Sequence, residues 1–228
     1  MVTNLDLEEQ EQLDQLKHFW NTYGNLITSV VSIAVLVYAA WFGWHWWQGQ
    51  QATKAASMFD EFEKAEKSGD AAMTTRVFSD LKDRFGSTAF AGQAGLIAAR
   101  VQYDKGQADQ AIASLNWVAD NADEPQYKDI ARLRLAGILM DQKKYDEALQ
   151  QLGKVDDPNF VALADDRRGD IKLAQGQRDA AKEAYSKAWK AMDAATDYRR
   201  VVEAKLTALG AAPDLQPSVT VKPAEVAR

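Results

Sequence analysis

No cysteine occurs anywhere in the 228 residues. That excludes disulfides, thiol nucleophiles, thiolate metal sites and acylated lipoprotein cysteines. Histidine is nearly absent as well, with only His18 and His45. These two flank opposite sides of a long apolar stretch, so they cannot share a metal or form one catalytic set. His45 stands among tryptophans and reads as an interfacial residue rather than a ligand. With no histidine beyond position 45, no Ser-His-Asp arrangement is available to the rest of the chain. An excess of basic charge is also missing. Formal net charge is −6, of which −4 falls in the first 20 residues, while residues 54–228 hold 28 acids against 26 bases. No basic patch dominates, so nucleic acid is not an expected partner. No phosphate-cradling glycine loop is present either, because Gly86, Gly92 and Gly95 are spread along expected helix ends.

The most informative absence is local. From Asn21 to Thr53 there is no Asp, Glu, Lys or Arg. About 20 predominantly apolar residues suffice for a helix to cross the hydrocarbon layer. A single such segment must be a helix, since only helices and closed barrels satisfy the backbone in lipid. The few polar groups inside it are hydroxyls, able to bond back to their own helix. Its far end carries Trp41, Trp44, Trp46 and Trp47, and indoles favour the membrane–water interface. Two rivals are a buried core helix and a cleaved signal peptide. A signal peptide needs a basic start, a shorter apolar region and small residues at its cleavage site. Here the start is acidic (Asp6, Glu8, Glu9, Glu11, Asp14) and tryptophans fill the cleavage zone. The reading is an uncleaved anchor in the lipid bilayer. Charge leaves its orientation open: Lys17 precedes the anchor and Lys54, Lys64 and Lys67 follow it, but the rule applies poorly when a long domain follows.

Four segments are predicted. Residues 1–20 form a short N-terminal segment, with Thr3 and Asp6 as a capping pair and Leu13, Leu16 and Trp20 on one helical face. Residues 21–50 are the anchor, with nothing after Trp47 to break a helix before Gly69. Residues 51–209 show helical periodicity throughout and no strand alternation. Residues 210–228, with Pro213, Pro217 and Pro223, are expected to be disordered. Within 51–209 the helix stops are Ser68-Gly69, Gly86, Gly106, Lys143-Lys144, Gly176 and Gly210, with proline breaks at Pro125 and Pro158. The turns at 69, 106, 143 and 176 mark four helical pairs at a nearly constant interval, the period of a stacked helix–turn–helix array. A last helix over residues 198–209, with Val201, Val202, Leu206 and Leu209, caps the open end. The fold class is all-α: one transmembrane helix followed by a helical-hairpin solenoid.

Two stretches resemble a tetratricopeptide repeat (TPR): Leu135 to Leu149 and Gly169 to Tyr185. Small residues stand where the paired helices must approach, Ala136 and Gly169 before the turn and Ala111, Ala148 and Ala181 after it. The first pair departs most, with Thr74 at the alanine position. An acidic N-terminus, one anchor ending in Gly-Trp-x-Trp-Trp and about four degenerate repeats, with the run Ala164 to Asp170 before the last turn, together resemble the YfgM-like family, the ancillary subunit of the bacterial SecYEG translocon. The resemblance covers roughly residues 1–209. It implies a single-pass (type II) inner-membrane protein with a cytoplasmic N-terminus and a periplasmic repeat domain. It further implies association with the SecYEG translocon and with a membrane-anchored periplasmic chaperone of the peptidyl-prolyl isomerase type, and handling of translocating polypeptides.

No catalytic constellation, metal site or cofactor is expected. The acidic pairs Asp156-Asp157, Asp165-Asp166 and Asp120 with Asp123 lack calcium-loop spacing and read as solvated faces and caps. A two-carboxylate glycosidase would need a deep cleft, which a stacked array does not offer. The expected function is a tethered protein-binding scaffold; the alternatives are an adaptor for another envelope complex or a structural spacer. In the TPR pattern the first helix of each pair lines the concave side. The candidate groove is therefore Leu96, Arg100 and Tyr103, then Ile130, Leu133 and Met140, then Leu163, Asp166 and Leu173. The rival reading is that these residues are ordinary core, covered by the helix at 198–209.

Overall fold

The computed structural model describes the backbone of residues 7–212 and the side chains of residues 13–212. The expected Thr3–Asp6 capping pair, and the expected disorder from residue 213 on, lie outside the described residues. Two compact units are present, the first ending at Thr53 and the second beginning at Lys54. Every regular element among the described residues is an α-helix.

α1 runs from Leu7 to Lys67. It passes through Trp20 unbroken, so the helical face expected at Leu13, Leu16 and Trp20 belongs to the same helix as the apolar stretch, with no proline before Pro125 to interrupt it. From Val30 to Trp46 every large apolar side chain is more than half exposed, and none of the apolar window is buried. That removes the buried-core reading and leaves a helix long and apolar enough to cross a membrane. Its hydroxyls turn inward as expected. Thr22 Oγ1 donates to the His18 carbonyl at 2.9 Å, Ser29 Oγ to that of Asn25 at 2.7 Å, and Thr28 Oγ1 to that of Gly24. The aromatic end is self-packed, with Trp41 edge-on to His45 at 4.6 Å and Trp44 against Trp47 at 5.7 Å.

In the second unit the hairpins follow in chain order: the end of α1 with α2 (Ala71–Phe85), α3 (Ala89–Asp104) with α4 (Ala108–Asn121), α5 (Pro125–Asp141) with α6 (Tyr145–Leu152), and α7 (Pro158–Ala174) with α8 (Arg178–Ala191). α9 (Arg199–Ala208) closes the series against α8. The four hairpin turns share one device. Gly69, Gly106, Lys143 and Gly176 all have φ between 60° and 77°. At the last three the flanking amides return to the helix: Gln107 N–H donates to Gln102 O and Gly106 N–H to Tyr103 O, with the same pattern at Lys144–Leu139 and Gln177–Lys172. This is the paired closure that satisfies orphan carbonyls at a helix end. Lys143 is the one non-glycine residue among those described to hold this conformation. Pro125 and Pro158 open α5 and α7 at the first position, where a missing amide costs nothing.

Five residues after each turn the chain buries a small side chain. Thr74, Ala111, Ala148 and Ala181 are each 0 % exposed. Thr74 therefore keeps the register of the other three, its hydroxyl satisfied by the Asp70 carbonyl at 2.8 Å. Glycines do the same from the opposing helix. A Cβ at Gly169 would overlap the Tyr185 ring, and one at Gly95 would overlap Val118. Gly92 and Gly95 thus lie inside α3 at helix contacts, not at helix ends as expected. Gly86 does end α2, but with φ −58° rather than the left-handed form; a Cβ there would meet the Lys82 carbonyl at 2.6 Å.

Three apolar clusters result. Phe59 and Phe62 of α1 pack with Phe78, Leu81 and Phe85 of α2 and with Ala94 and Ala98 of α3. The largest runs from Leu96 of α3 to Ile171 of α7. The last joins Ala162 and Tyr185 to Val202 and Leu206 of α9. Leu81, Leu115, Leu135, Leu152 and Leu206 are essentially fully buried, each stabilising by about 2 kcal/mol. The register makes a test with two signs for the full chain in detergent. Ala148→Leu should overpack the α5–α6 contact and lower the thermal midpoint, by the equivalent of about 1–3 kcal/mol. Lys143→Gly should raise it by relieving about 1 kcal/mol of left-handed strain. Midpoints that match the wild type in both variants would show that neither the turn nor the slot is where the structure has it.

Candidate functional site

α5 touches both α3 and α7, so the first helices of successive hairpins form one face. Between them lies an open groove of about 370 Å³. α3 contributes Arg100 and Tyr103; α5 contributes Leu133, Arg134, Gly137, Ile138 and Asp141; α7 contributes Arg167. A wider depression of about 650 Å³ runs along Arg200, Glu203 and Thr207, but every lining residue comes from α9. With no second element facing it, that surface is not a site.

Of the nine groove residues expected from the sequence, the structure brings Arg100, Tyr103 and Leu133 together in this groove. Leu96 is 6 % exposed and packs in the central cluster, because its side of α3 carries the contact with the neighbouring helices. Ile130, Met140 and Leu163 are partly buried against the same cluster. Leu173 is 39 % exposed near the last turn and lies outside the groove. The residues missed were Arg134, Gly137, Ile138, Asp141 and Arg167. The signal for the arginines was their recurrence on these helices, at 100 in α3, at 132 and 134 in α5 and at 167 and 168 in α7, which a search for apolar side chains passes over.

The groove has local electrostatic structure. Arg100 pairs with Glu66 at 2.6 Å, and the Tyr103 hydroxyl donates to Asp141 at 2.7 Å. That hydrogen bond, followed by burial and by the charge of Asp141, holds the Tyr103 phenol above its ordinary pKa. Arg134 Nη1 donates to the Leu96 carbonyl at 2.9 Å. Burial, then the like charge of Arg100, depress the guanidinium's pKa.

Asp166 overturns its expected place on both counts, being neither groove nor solvated. Only 2 % exposed, it accepts Lys205 Nζ at 2.8 and 2.9 Å and the Tyr198 hydroxyl at 2.8 Å. Lys205 also donates to Asp170 at 2.7 Å, and Tyr185 donates to Asp170 at 2.8 Å. The reason is α9, which lies over this part of α7 and inserts its ammonium between the two carboxylates. Burial pulls the Lys205 pKa down, but the hydrogen bonds and charges of Asp166 and Asp170 outweigh it and hold the group above 10.5. Burial, then hydrogen bonding to Asp170 and to Asp166 respectively, raises the phenols of Tyr185 and Tyr198. Asp157 does act as a cap, accepting the Asn159 amide at 2.8 Å.

A family model for tetratricopeptide repeat-like domains matches residues 17–211. A Neisseria gonorrhoeae protein named "Ancillary SecYEG translocon subunit" is 30 % identical over 204 residues, covering 89 % of this chain and 98 % of that one. The chain belongs to the YfgM-like family. An Escherichia coli protein of the same name is 32 % identical over 93 residues, covering 40 % of this chain and 45 % of its own length. The helical hairpins and the long apolar helix of this chain thus stand in a family whose named members are translocon subunits.

The α9 clamp has a defined pH signature. Lys205→Met leaves the Asp166 carboxylate buried without its cation, at a cost of about 3 kcal/mol. The folded-state pKa of Lys205 is raised, so its contribution is complete at neutral pH and is lost as pH rises above about 10.5 through the folded value. The raised tyrosines act in the same direction. Thermal melts should show a large deficit for Lys205→Met at pH 7 that narrows in the alkaline range. A deficit that stays constant with pH would contradict the clamp.

Proposed function

We propose that the protein is an inner-membrane scaffold of the SecYEG translocon, binding polypeptides as they emerge and passing them to periplasmic chaperones. The observation that carries this reading is the near full-length match to a relative named as an ancillary translocon subunit. The helix from the anchor region supports it, since it supplies a lipid-facing surface with an aromatic end. In this reading residues 1–20 lie in the cytoplasm and the repeat unit from Lys54 lies in the periplasm. The groove between α3, α5 and α7 receives segments of translocating chains or of a membrane-anchored chaperone of the peptidyl-prolyl isomerase type. The protein works by binding, not by catalysis. A shallow groove with an apolar floor suits recognition of extended chain, and it gives the repeat unit a use beyond that of a spacer.

Photocrosslinkers placed in native membranes test both parts. From Trp44 or Trp47 they should capture translocon subunits, and from Tyr103 they should capture the chaperone or translocating chains. Protease added to spheroplasts should digest the repeat unit and spare the N-terminus. Absence of translocon adducts from the anchor, or digestion only after the membrane is ruptured, would overturn the reading.

A further inference from the structure

The groove contains cations that the fold does not neutralise. Four arginines of α5 and α7 make a useful contrast. Arg132 pairs with Asp129 at 2.8 Å and also donates to the Lys154 carbonyl. Arg168 pairs with Asp165 and donates to the Leu152 carbonyl. These two are structural, binding helices to neighbouring turns. Arg134 and Arg167 have no acidic side chain within ion-pair distance among the described residues, and both face the groove. Arg134 keeps one backbone contact, to the Leu96 carbonyl, which leaves the rest of its planar fork free. Arg100 adds a third guanidinium whose charge is felt at Arg134. The two acids nearby are already engaged, Glu66 by Arg100 and Asp141 by Tyr103.

The space between the free arginines is open. Gly137 lies between them, and a Cβ there would meet only Arg167 Nη1, at 3.8 Å. The floor beneath is apolar, from Leu133 and Ile138. Guanidinium forks match carboxylates two hydrogen bonds at a time. Like charges held close, with one partly buried, favour an arriving anion.

We propose that Arg134 and Arg167 form a carboxylate-reading site, and that the groove's occupant is an extended segment of another polypeptide bearing acidic side chains interleaved with apolar ones. Its carboxylates pair with the two guanidiniums across Gly137, and an apolar side chain rests on Leu133 and Ile138. The chain's own tail is a poor fit by charge, since Lys222 and Arg228 offset Asp214 and Glu225. This inference rests on the scaffold reading above and adds the chemistry of the ligand to it.

The test uses the full chain in detergent and an amidated peptide of three Asp-Leu-Ser units carrying a neutral dye, with Asn-for-Asp and Lys-for-Asp versions beside it. Fluorescence anisotropy should show binding of the Asp peptide alone, weakening with added salt. Arg134→Gln and Arg167→Gln should each weaken it by about tenfold, the loss of a charge-assisted pair. Arg76→Gln, an exposed residue of α2 outside the groove, should change nothing. Circular dichroism of each variant checks that it is folded, and Arg167, free of backbone contacts in the structure, keeps the test decisive if Arg134→Gln unfolds. Equal binding of all three peptides, no binding by the wild type, or unchanged affinity in folded Arg167→Gln would overturn the proposal. Binding that emerges only after removal of residues 213–228 would also overturn it, by making the tail the occupant. The crosslinking above separates the two readings. Translocon adducts without Asp-peptide binding count against the arginine site alone, whereas Asp-peptide binding without translocon adducts counts against the scaffold role.

Discussion

The second unit depends on one constraint: paired helices must approach closely at a fixed distance from a left-handed turn. The turn sets the direction of the returning helix, and the small residue five positions later sets how near it comes. Thr74, Ala111, Ala148 and Ala181 are completely buried, and Gly169 admits the Tyr185 ring. Protein interiors pack too tightly to absorb an extra side chain at such points without shifting a helix. Each hairpin leaves an apolar face that only the next can cover, so the constraint repeats along the chain and the clusters run on from hairpin to hairpin.

The same repetition creates the groove. With α3, α5 and α7 adjacent, a residue type recurring on first helices becomes a row in space. The arginines at 100, 134 and 167 are such a row, although they are more than thirty residues apart in sequence. α9 ends the row. Its lysine pairs with both Asp166 and Asp170, so these two acids of α7 are taken up by closure and do not reach the groove. Anion-reading surface and structural clamp are therefore neighbours on α7, at Arg167 and Asp166. Their difference comes from which side of the helix α9 covers.

Much of the fold was legible in the sequence because its signals are local. The anchor is an uninterrupted run without charge, and the turns fall at glycines or at Lys143-Lys144 in a steady period. The small residues hold a constant offset from those turns. What was not legible depends on partners far along the chain. Asp166 reads as a solvated acid until Lys205, thirty-nine residues on, is brought to it. Gly92 and Gly95 read as helix ends, yet they are interior because Tyr127 and Val118 press on α3. The groove was half visible: Arg100, Tyr103 and Leu133 lie on the expected helices, but weighting apolar residues favoured Leu96, which the core absorbs, over Arg134 and Arg167. A charged residue on a repeat helix carries no sign in sequence of whether an aspartate waits for it, as at Arg132, or not.

Hydrogen exchange on the full chain, compared with Ala181→Leu, tests the stacked-register account most directly. If each hairpin is held mainly by its neighbours, the substitution accelerates exchange in α7, α8 and α9, less in α5 and α6, and leaves α2 and α3 close to the wild type. Uniform acceleration across the second unit, or protection unchanged in α7 and α8, would contradict it.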